Sequence, residues 1–305
     1  MVSLVLIFIL LWWAFYNPVR EMKTSVPGID NRPVFDSLHE ENVNIGEKFT
    51  KYADFSSDLT GKWNRFRGQD FDNVCKDKTP LINSFKGKPD IKWQIETGEG
   101  HAAPAIYNGK VYFLDYDEQK KADALRCLSL ETGKELWRRW YSVHIKRNHG
   151  MSRTIPAVTD KYIVSIGPKG HVMCINPENG NLLWTLDMIK QFNVEIPFWY
   201  TGQCPLIDDG LAILSPGGTS LMVAVDCATG NLVWQTPNTL KWKMSHSSIM
   251  PMFYGGKKMY VYAAVGGICG VSATGSDAGQ MLWHSSDFSP NVVAPSPLCF
   301  NDGKI

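Results

Sequence analysis

Four stretches of this chain superpose on a glycine followed four residues later by a tryptophan: Gly133 and Trp137, Gly180 and Trp184, Gly230 and Trp234, Gly279 and Trp283. The glycines are 47, 50 and 49 residues apart. A second marker keeps the same order and nearly the same period. Pro104, Pro156, Pro205, Pro251 and Pro297 each sit in a short apolar run, with spacings of 52, 49, 46 and 46. Two independent markers in one register point to a structural repeat, in which no unit buries its apolar face alone and neighbours must stack.

The chemistry of one unit reads as β-structure. Apolar runs such as Val111–Leu114 and Tyr162–Ile166 have strand length and are bounded by turn residues. Thr132-Gly133, Asn179-Gly180 and Thr229-Gly230 are hairpin turns, where glycine accepts a positive φ without a Cβ clash. The tryptophan then starts the next strand, and its ring fills the gap between neighbouring sheets. Six residues before the repeat glycine stand Cys127, Cys174, Ala224 and Ala273, a slot that wants a small apolar side chain. The expected fold is all-β, a β-propeller of four-stranded blades. About four to five blades are expected in this sequence and about seven to eight in a complete ring, within the usual propeller range. The end of the chain, Asn301 to Ile305, matches Tyr107 to Val111, so the sequence is expected to be a fragment that stops inside a fifth blade.

Composition agrees and excludes some functions. With 305 residues, 44% hydrophobic content and a net charge of +1, the chain has core-forming material and no bulk attraction to nucleic acid. The seven cysteines are odd in number and form no C-x-x-C, which argues against a disulfide framework and a structural zinc site.

The N-terminus is different material. Residues 2–16 are apolar apart from Ser3, and Asn17-Pro18, Arg20 and Lys23 follow. This run is shorter than the roughly 20 residues of a full bilayer span and reads as a signal or anchor segment for an exported protein. The favoured expectation is an uncleaved anchor, although Arg20 and Lys23 lie on the wrong side for the positive-inside rule. Residues 17–60 read as a polar tether with at most a short helix around Ile45–Ala53, and residues 61–305 as the propeller.

The Gly-x-x-x-Trp units, the proline-headed strands and Trp63-Asn-Arg-Phe-Arg-Gly68 together resemble the PQQ-like β-propeller repeat proteins over Lys62 to Ile305. That superfamily includes the propeller lipoprotein of the outer-membrane barrel-assembly machinery and the pyrroloquinoline quinone alcohol dehydrogenases. The resemblance implies the fold, and it implies either a scaffold or an enzyme. Its enzymes carry a vicinal Cys-Cys pair against the quinone and a calcium held by Glu, Asn and Asp. This sequence has no Cys-Cys pair, and no such calcium set can be placed on it. The expectation is therefore a membrane-tethered, non-catalytic platform on the periplasmic side of the cell envelope, with no cofactor and with an envelope protein or a carbohydrate as ligand. The alternative is a quinone- and calcium-dependent alcohol or sugar dehydrogenase completed by further C-terminal blades.

Candidate binding residues follow from the register. Three positions before the blade prolines stand His101, Arg153, Gly202, Ser248 and Ala294, so His101 and Arg153 are placed at the channel mouth. Trp199 and Gln203 lie in an inter-blade stretch that mixes aromatics with hydrogen-bonding groups, as does His246 in another. Burial in blade packing explains the same aromatics, and channel water or backbone carbonyls the same charges. Ser245, Ser247 and Ser248 flank His246 without a placeable acid or oxyanion site, so nucleophilic chemistry is not expected. Residues 141–153 form the most basic loop, read as a solvated loop or, secondarily, as a contact for an acidic partner. Pro216-Gly-Gly-Thr219 lacks the Lys-Ser/Thr ending of a phosphate loop and reads as a turn.

Overall fold

A computed structural model describes residues 2–16, 42–55, 57–76, 84, 87, 90–146, 151–288, 290–300 and 302–305. The chain divides into two compact units, Met1–Asn42 and Val43–Ile305. In the first, helix α1 (Val2–Phe15) is a single apolar stretch whose described side chains, Val5 to Tyr16, are all exposed. Its end closes with Tyr16 N–H donating to Trp12 O at 2.7 Å. No helix among the described residues is long and apolar enough to cross a membrane. Arg20, Lys23 and most of the expected tether lie outside the described residues.

The second unit opens with strands β1 (Lys48–Lys51) and β2 (Lys62–Trp63) and continues as four antiparallel meanders. The first blade is β3 (Ala105–Tyr107), β4 (Lys110–Asp117), β5 (Ala122–Ser129) and β6 (Glu135–Ser142). The second is β7 (Ala157–Val158), β8 (Ile163–Ile166), β9 (His171–Ile175) and β10 (Leu182–Asp187). The short helix α2 (Met188–Phe192) leads to the third blade, β11 (Leu206–Asp208), β12 (Leu211–Leu214), β13 (Ser220–Asp226) and β14 (Leu232–Pro237). The fourth is β15 (Met250–Tyr254), β16 (Lys257–Ala264), β17 (Gly267–Ser272) and β18 (Met281–Ser285). The all-β propeller expected from the repeat is the fold observed.

Each blade packs face to face on the next. Tyr112, Leu125, Cys127 and Trp137 of the first pack with Ile163, Met173 and Ile175 of the second. Val164, Val172 and Cys174 meet Ala212, Val223 and Val225 of the third, and Ile213, Met222 and Ala224 meet Tyr260, Tyr262 and Val271 of the fourth. The small-residue slot is buried in all four units, at Cys127, Cys174, Ala224 and Ala273.

The repeat glycines close the hairpins between third and fourth strands, and the last three each meet the tryptophan of the blade before. Gly230 has φ +76°, and an added Cβ would lie 2.8 Å from Trp184 Cγ. Gly279 stands in the same relation to Trp234, and Gly180 to Trp137. The tryptophan is thus the third residue or so of each outer strand, reaching across to the next blade. Trp184 adds a hydrogen bond from its indole N–H to Cys227 O at 2.9 Å. Trp93 plays the same part for the first blade, lying over Gly133 and donating to Leu130 O at 2.8 Å. This is the place that the outer strand of a preceding blade would fill.

Two additions complete the first sheet, ordered β1-β6-β5-β4-β3-β2. The short helix expected around Ile45–Ala53 is instead β1, paired in register with β6 from Lys48 opposite Trp140 to Lys51 opposite Trp137. The edge of β6 offers unpaired backbone groups, and satisfying them outweighs any weak helical tendency of Lys-Phe-Thr-Lys. Strand β2 lies along the inner edge, with Trp63 opposite Ile106.

From β2 the chain visits the inner strands one blade at a time. Asn64 and Val158 exchange hydrogen bonds, the backbone N–H of Val158 donating to Asn64 O at 2.8 Å and Asn64 Nδ2 donating to Val158 O at 2.6 Å. Arg65 donates to Ile207 O of the third blade at 3.2 Å. Arg67 reaches the fourth and beyond, lying 3.5 Å from Met250 Sδ and donating to Ser296 O and Pro297 O at 2.9 and 2.7 Å. Trp63-Asn-Arg-Phe-Arg is therefore a strap across the blades' inner edges.

Candidate functional site

Antiparallel alternation gives the blades two unlike ends. The connectors between blades and the turns between second and third strands share one end, the loop face. The remaining hairpin turns, with the strap beside them, share the other.

On the loop face a groove of about 370 Å³ opens between the connector after α2, the connector after β14 and the segment after β18. Its walls include Phe198, Trp199, Met244, His246, Val292 and Val293. The first connector is held by its own backbone. Asp187 caps α2 by accepting from the N–H groups of Ile189 and Lys190, Asn193 ends it in a left-handed conformation, and Tyr200, also left-handed at φ 66°, donates its backbone N–H to Pro197 O at 2.8 Å. The Tyr200 hydroxyl donates to Lys146 O at 2.6 Å. These restraints project Phe198 outward, 57% exposed, with the half-buried Trp199 beside it at a centroid distance of 5.6 Å.

The second connector is organised by Asn238, whose amide donates to Gly218 O and Trp242 O and accepts from Trp242 N–H. This sets His246 into the floor, 6.3 Å from the Trp199 ring. Gly202 allows the close approach, since a Cβ there would lie 2.6 Å from His246 Nδ1. Burial, and then the charge of Arg153, push the His246 pKa below its usual value, so the imidazole is neutral near pH 7. Its Nδ1 is buried without a hydrogen-bond partner. At the rim Lys243 and Glu195 pair at 2.7 Å.

Of the five candidate residues, the structure brings Trp199, His246 and Arg153 together. Gln203 is elsewhere: it is fully buried, with its amide donating to Ser215 O at 2.7 Å and accepting from Ser215 N–H at 3.0 Å. Its polarity serves the fold and is not open to a ligand. His101 is exposed, and its backbone N–H is bonded to Ser152 O. Arg147 and His149 of the basic loop lie outside the described residues. Sequence reasoning missed Val292 and Val293, which carry no chemical signal of their own.

The serines flanking His246 belong to a ring of inter-blade hydrogen bonds. Ile155 N–H donates to Cys204 Sγ at 3.2 Å, Cys204 N–H to Ser248 Oγ at 2.9 Å and Ser248 N–H to Ser296 Oγ at 2.8 Å. Ser245 Oγ donates to Ala263 O at 2.6 Å. Ser245 and Ser248 thus hold inner strands and connectors in place.

The profile of the family described as outer membrane protein assembly factor BamB matches residues 120–291, more than half of the chain. The chain belongs to this family of PQQ-like propeller repeats. No curated protein sequence matches it significantly. Among solved structures, BamB from Moraxella catarrhalis aligns at 13% identity and TM-score 0.45, over 65% of this chain and 52% of that one. Quinohemoprotein alcohol dehydrogenase ADHIIG from Pseudomonas putida HK5 aligns at 18% and 0.42, over 62% and 34%. A europium-containing methanol dehydrogenase aligns at 14% and 0.44, over 65% and 44%. The chain spans about half the length, or less, of these structures.

The carboxylates beside the groove of this BamB-family propeller are engaged within the fold. Among the described residues no three or more His, Cys, Asp or Glu side chains converge to hold a metal ion. The loop-face carboxylate nearest the groove, Glu195, is paired with Lys243, and Asp187 caps α2. Elsewhere the most perturbed acid is Asp123, fully buried between the first two blades, where it accepts from the Tyr141 hydroxyl at 3.1 Å. Burial pushes its pKa up to about 7, against the lowering effect of that hydrogen bond. It lines no groove.

Proposed function

We propose that this chain is an envelope propeller that binds a protein partner on its loop face and performs no chemistry there. The observation that carries the reading is the groove beneath Phe198. An aromatic side chain 57% exposed, rigidly presented beside Trp199 and Val292, is the kind of anchor that interfaces use. The polar groups around it are those of a binding surface, with one neutral histidine in the floor and an ion pair at the rim. The family description, an outer-membrane assembly factor, supports an envelope setting and a protein partner.

Helix α1 fits attachment within this reading. Its sequence is apolar on every side apart from Ser3, as a segment inserted among lipid chains would be.

The test places a photo-crosslinking residue at Phe198 in the full-length chain, in envelope membranes, with Asp209 on the opposite face as control. A discrete protein adduct from position 198 and none from 209 is expected. Equal labelling at both positions, or calcium-dependent dye reduction with an alcohol after quinone is added, would overturn the proposal.

A further inference from the structure

The blades meet at equivalent positions, so their interfaces can be compared residue by residue. The small-residue slot of one blade stands near the turn of the next, at the residue three before its repeat glycine. The carbonyl at that turn takes the indole N–H of the preceding tryptophan, as Trp93 donates to Leu130 O and Trp184 to Cys227 O. Between the first and second blades the slot holds Cys127 and the turn Pro177, whose carbonyl accepts from the hydroxyl of Tyr112, the strand partner of Cys127. Between the third and fourth the same positions hold Ala224 and Ser276. Of the three interfaces, the one between the second and third blades carries cysteine at both, Cys174 and Cys227.

Both are free thiols, fully buried in one apolar cluster. Cys174 Sγ donates to Cys227 O at 3.4 Å, and the Cys227 thiol itself lies within hydrogen-bonding reach. That contact, and then burial, push the Cys174 pKa far above the usual thiol value. Packing does not call for sulfur here, since alanine fills the slot in the third and fourth blades. Resting on the envelope setting proposed above, which is an oxidising one, we propose that Cys174 and Cys227 close as a disulfide tying the second blade to the third. The two thiols together lose two protons and two electrons as the S–S bond forms. The electrons pass to the disulfide of a thiol–disulfide oxidant, which is reduced to two thiols. A buried, protonated thiol is a poor nucleophile, so the exchange takes place before the two blades close on each other. The bond then lies where reductants do not reach. It spans 53 residues, a long loop, and stabilises chiefly by restricting the unfolded chain.

The test refolds the purified full chain from denaturant, either with oxidised and reduced glutathione or with dithiothreitol. A non-reducing digest of the first sample should yield the Cys174 and Cys227 peptides joined, lighter than their sum by two hydrogens. The linked chain should melt about 5 °C or more above the reduced one. Cys174→Ala and Cys227→Ala should each lose that gain, and the double variant should lose little more than either alone. Both thiols alkylatable after oxidative refolding, or either joined to a different cysteine, would overturn the inference. So would a chain that folds when reduced and fails to fold when oxidised. Alkylation of the chain as isolated from cells separates this inference from the envelope reading. Both thiols labelled there, in a chain that forms the bond on refolding, would support the pairing and overturn the oxidising setting.

Discussion

The strap end and the loop end of this propeller use their side chains in opposite ways. At the strap end, the carbonyls of Val158, Ile207, Ser296 and Pro297 each receive a side chain from one short segment. At the loop end, Phe198 stands out in solvent. Satisfied groups rigidify, whereas exposed apolar surface is what a partner can use. One end therefore fixes blade spacing and the other is available for recognition.

Breaking the closed end should produce the largest effects. Gly230 combines a positive φ with a tryptophan where its Cβ would be, so Gly230→Ala should cost about 2–4 kcal/mol in urea unfolding. Gly210 has nearly the same φ, +77°, and nothing within 4 Å. Gly210→Ala should cost only the backbone part, about 1–2 kcal/mol. Equal losses would mean that the tryptophan adds nothing to the glycine requirement.

The strap comes next. Asn64→Ala leaves Val158 O without its side-chain donor in a buried setting, and should cost about 1–3 kcal/mol by the same measurement. A loss below about 0.5 kcal/mol would make the strap an ornament on a ring that is already rigid.

These two regions were unequally legible in the sequence. The blade register was readable because glycine and tryptophan are chemically unmistakable and recur at a fixed interval. The strap was visible only as Trp63-Asn-Arg-Phe-Arg-Gly68, a motif without a partner. Its targets are backbone carbonyls, which every residue possesses, so no side-chain pattern could mark Val158 or Ile207. Strand β1 was hidden for the same reason, since the edge of β6 decides its conformation. On the loop face, Trp199, His246 and Arg153 could be picked from residue type, but Gln203 has the same type-level appeal and is buried against Ser215. Only the fold distinguishes a polar group used internally from one left for a ligand.

A smaller effect tests Asp123, the one buried carboxyl among the described residues. The pKa of Asp123 is raised in the folded chain to about 7, from roughly 3.9 when unfolded. Between those values the folded state binds the extra proton, so stability should fall as pH rises from about 4 to about 7 and level off above. Asp123→Asn removes the charge that burial penalises. It should flatten that slope and raise stability at pH 8 by about 1 kcal/mol. An unchanged slope would show that another group carries it.

The smallest change in stability should come from the residue that matters most for recognition. Phe198 is 57% exposed and held out by the backbone around Tyr200, so Phe198→Ala removes little buried surface. Its unfolding midpoint should stay within about 0.5 kcal/mol of the parent chain, while crosslinking through a probe at Val292 should fall sharply. Trp199→Ala is the sharper companion, because Trp199 also packs on His246 and should cost some stability along with binding. If Phe198→Ala instead destabilised the chain as much as Gly230→Ala, the aromatic would be part of the blade packing. The loop face would then be closed like the other end, and the contrast between the two would disappear.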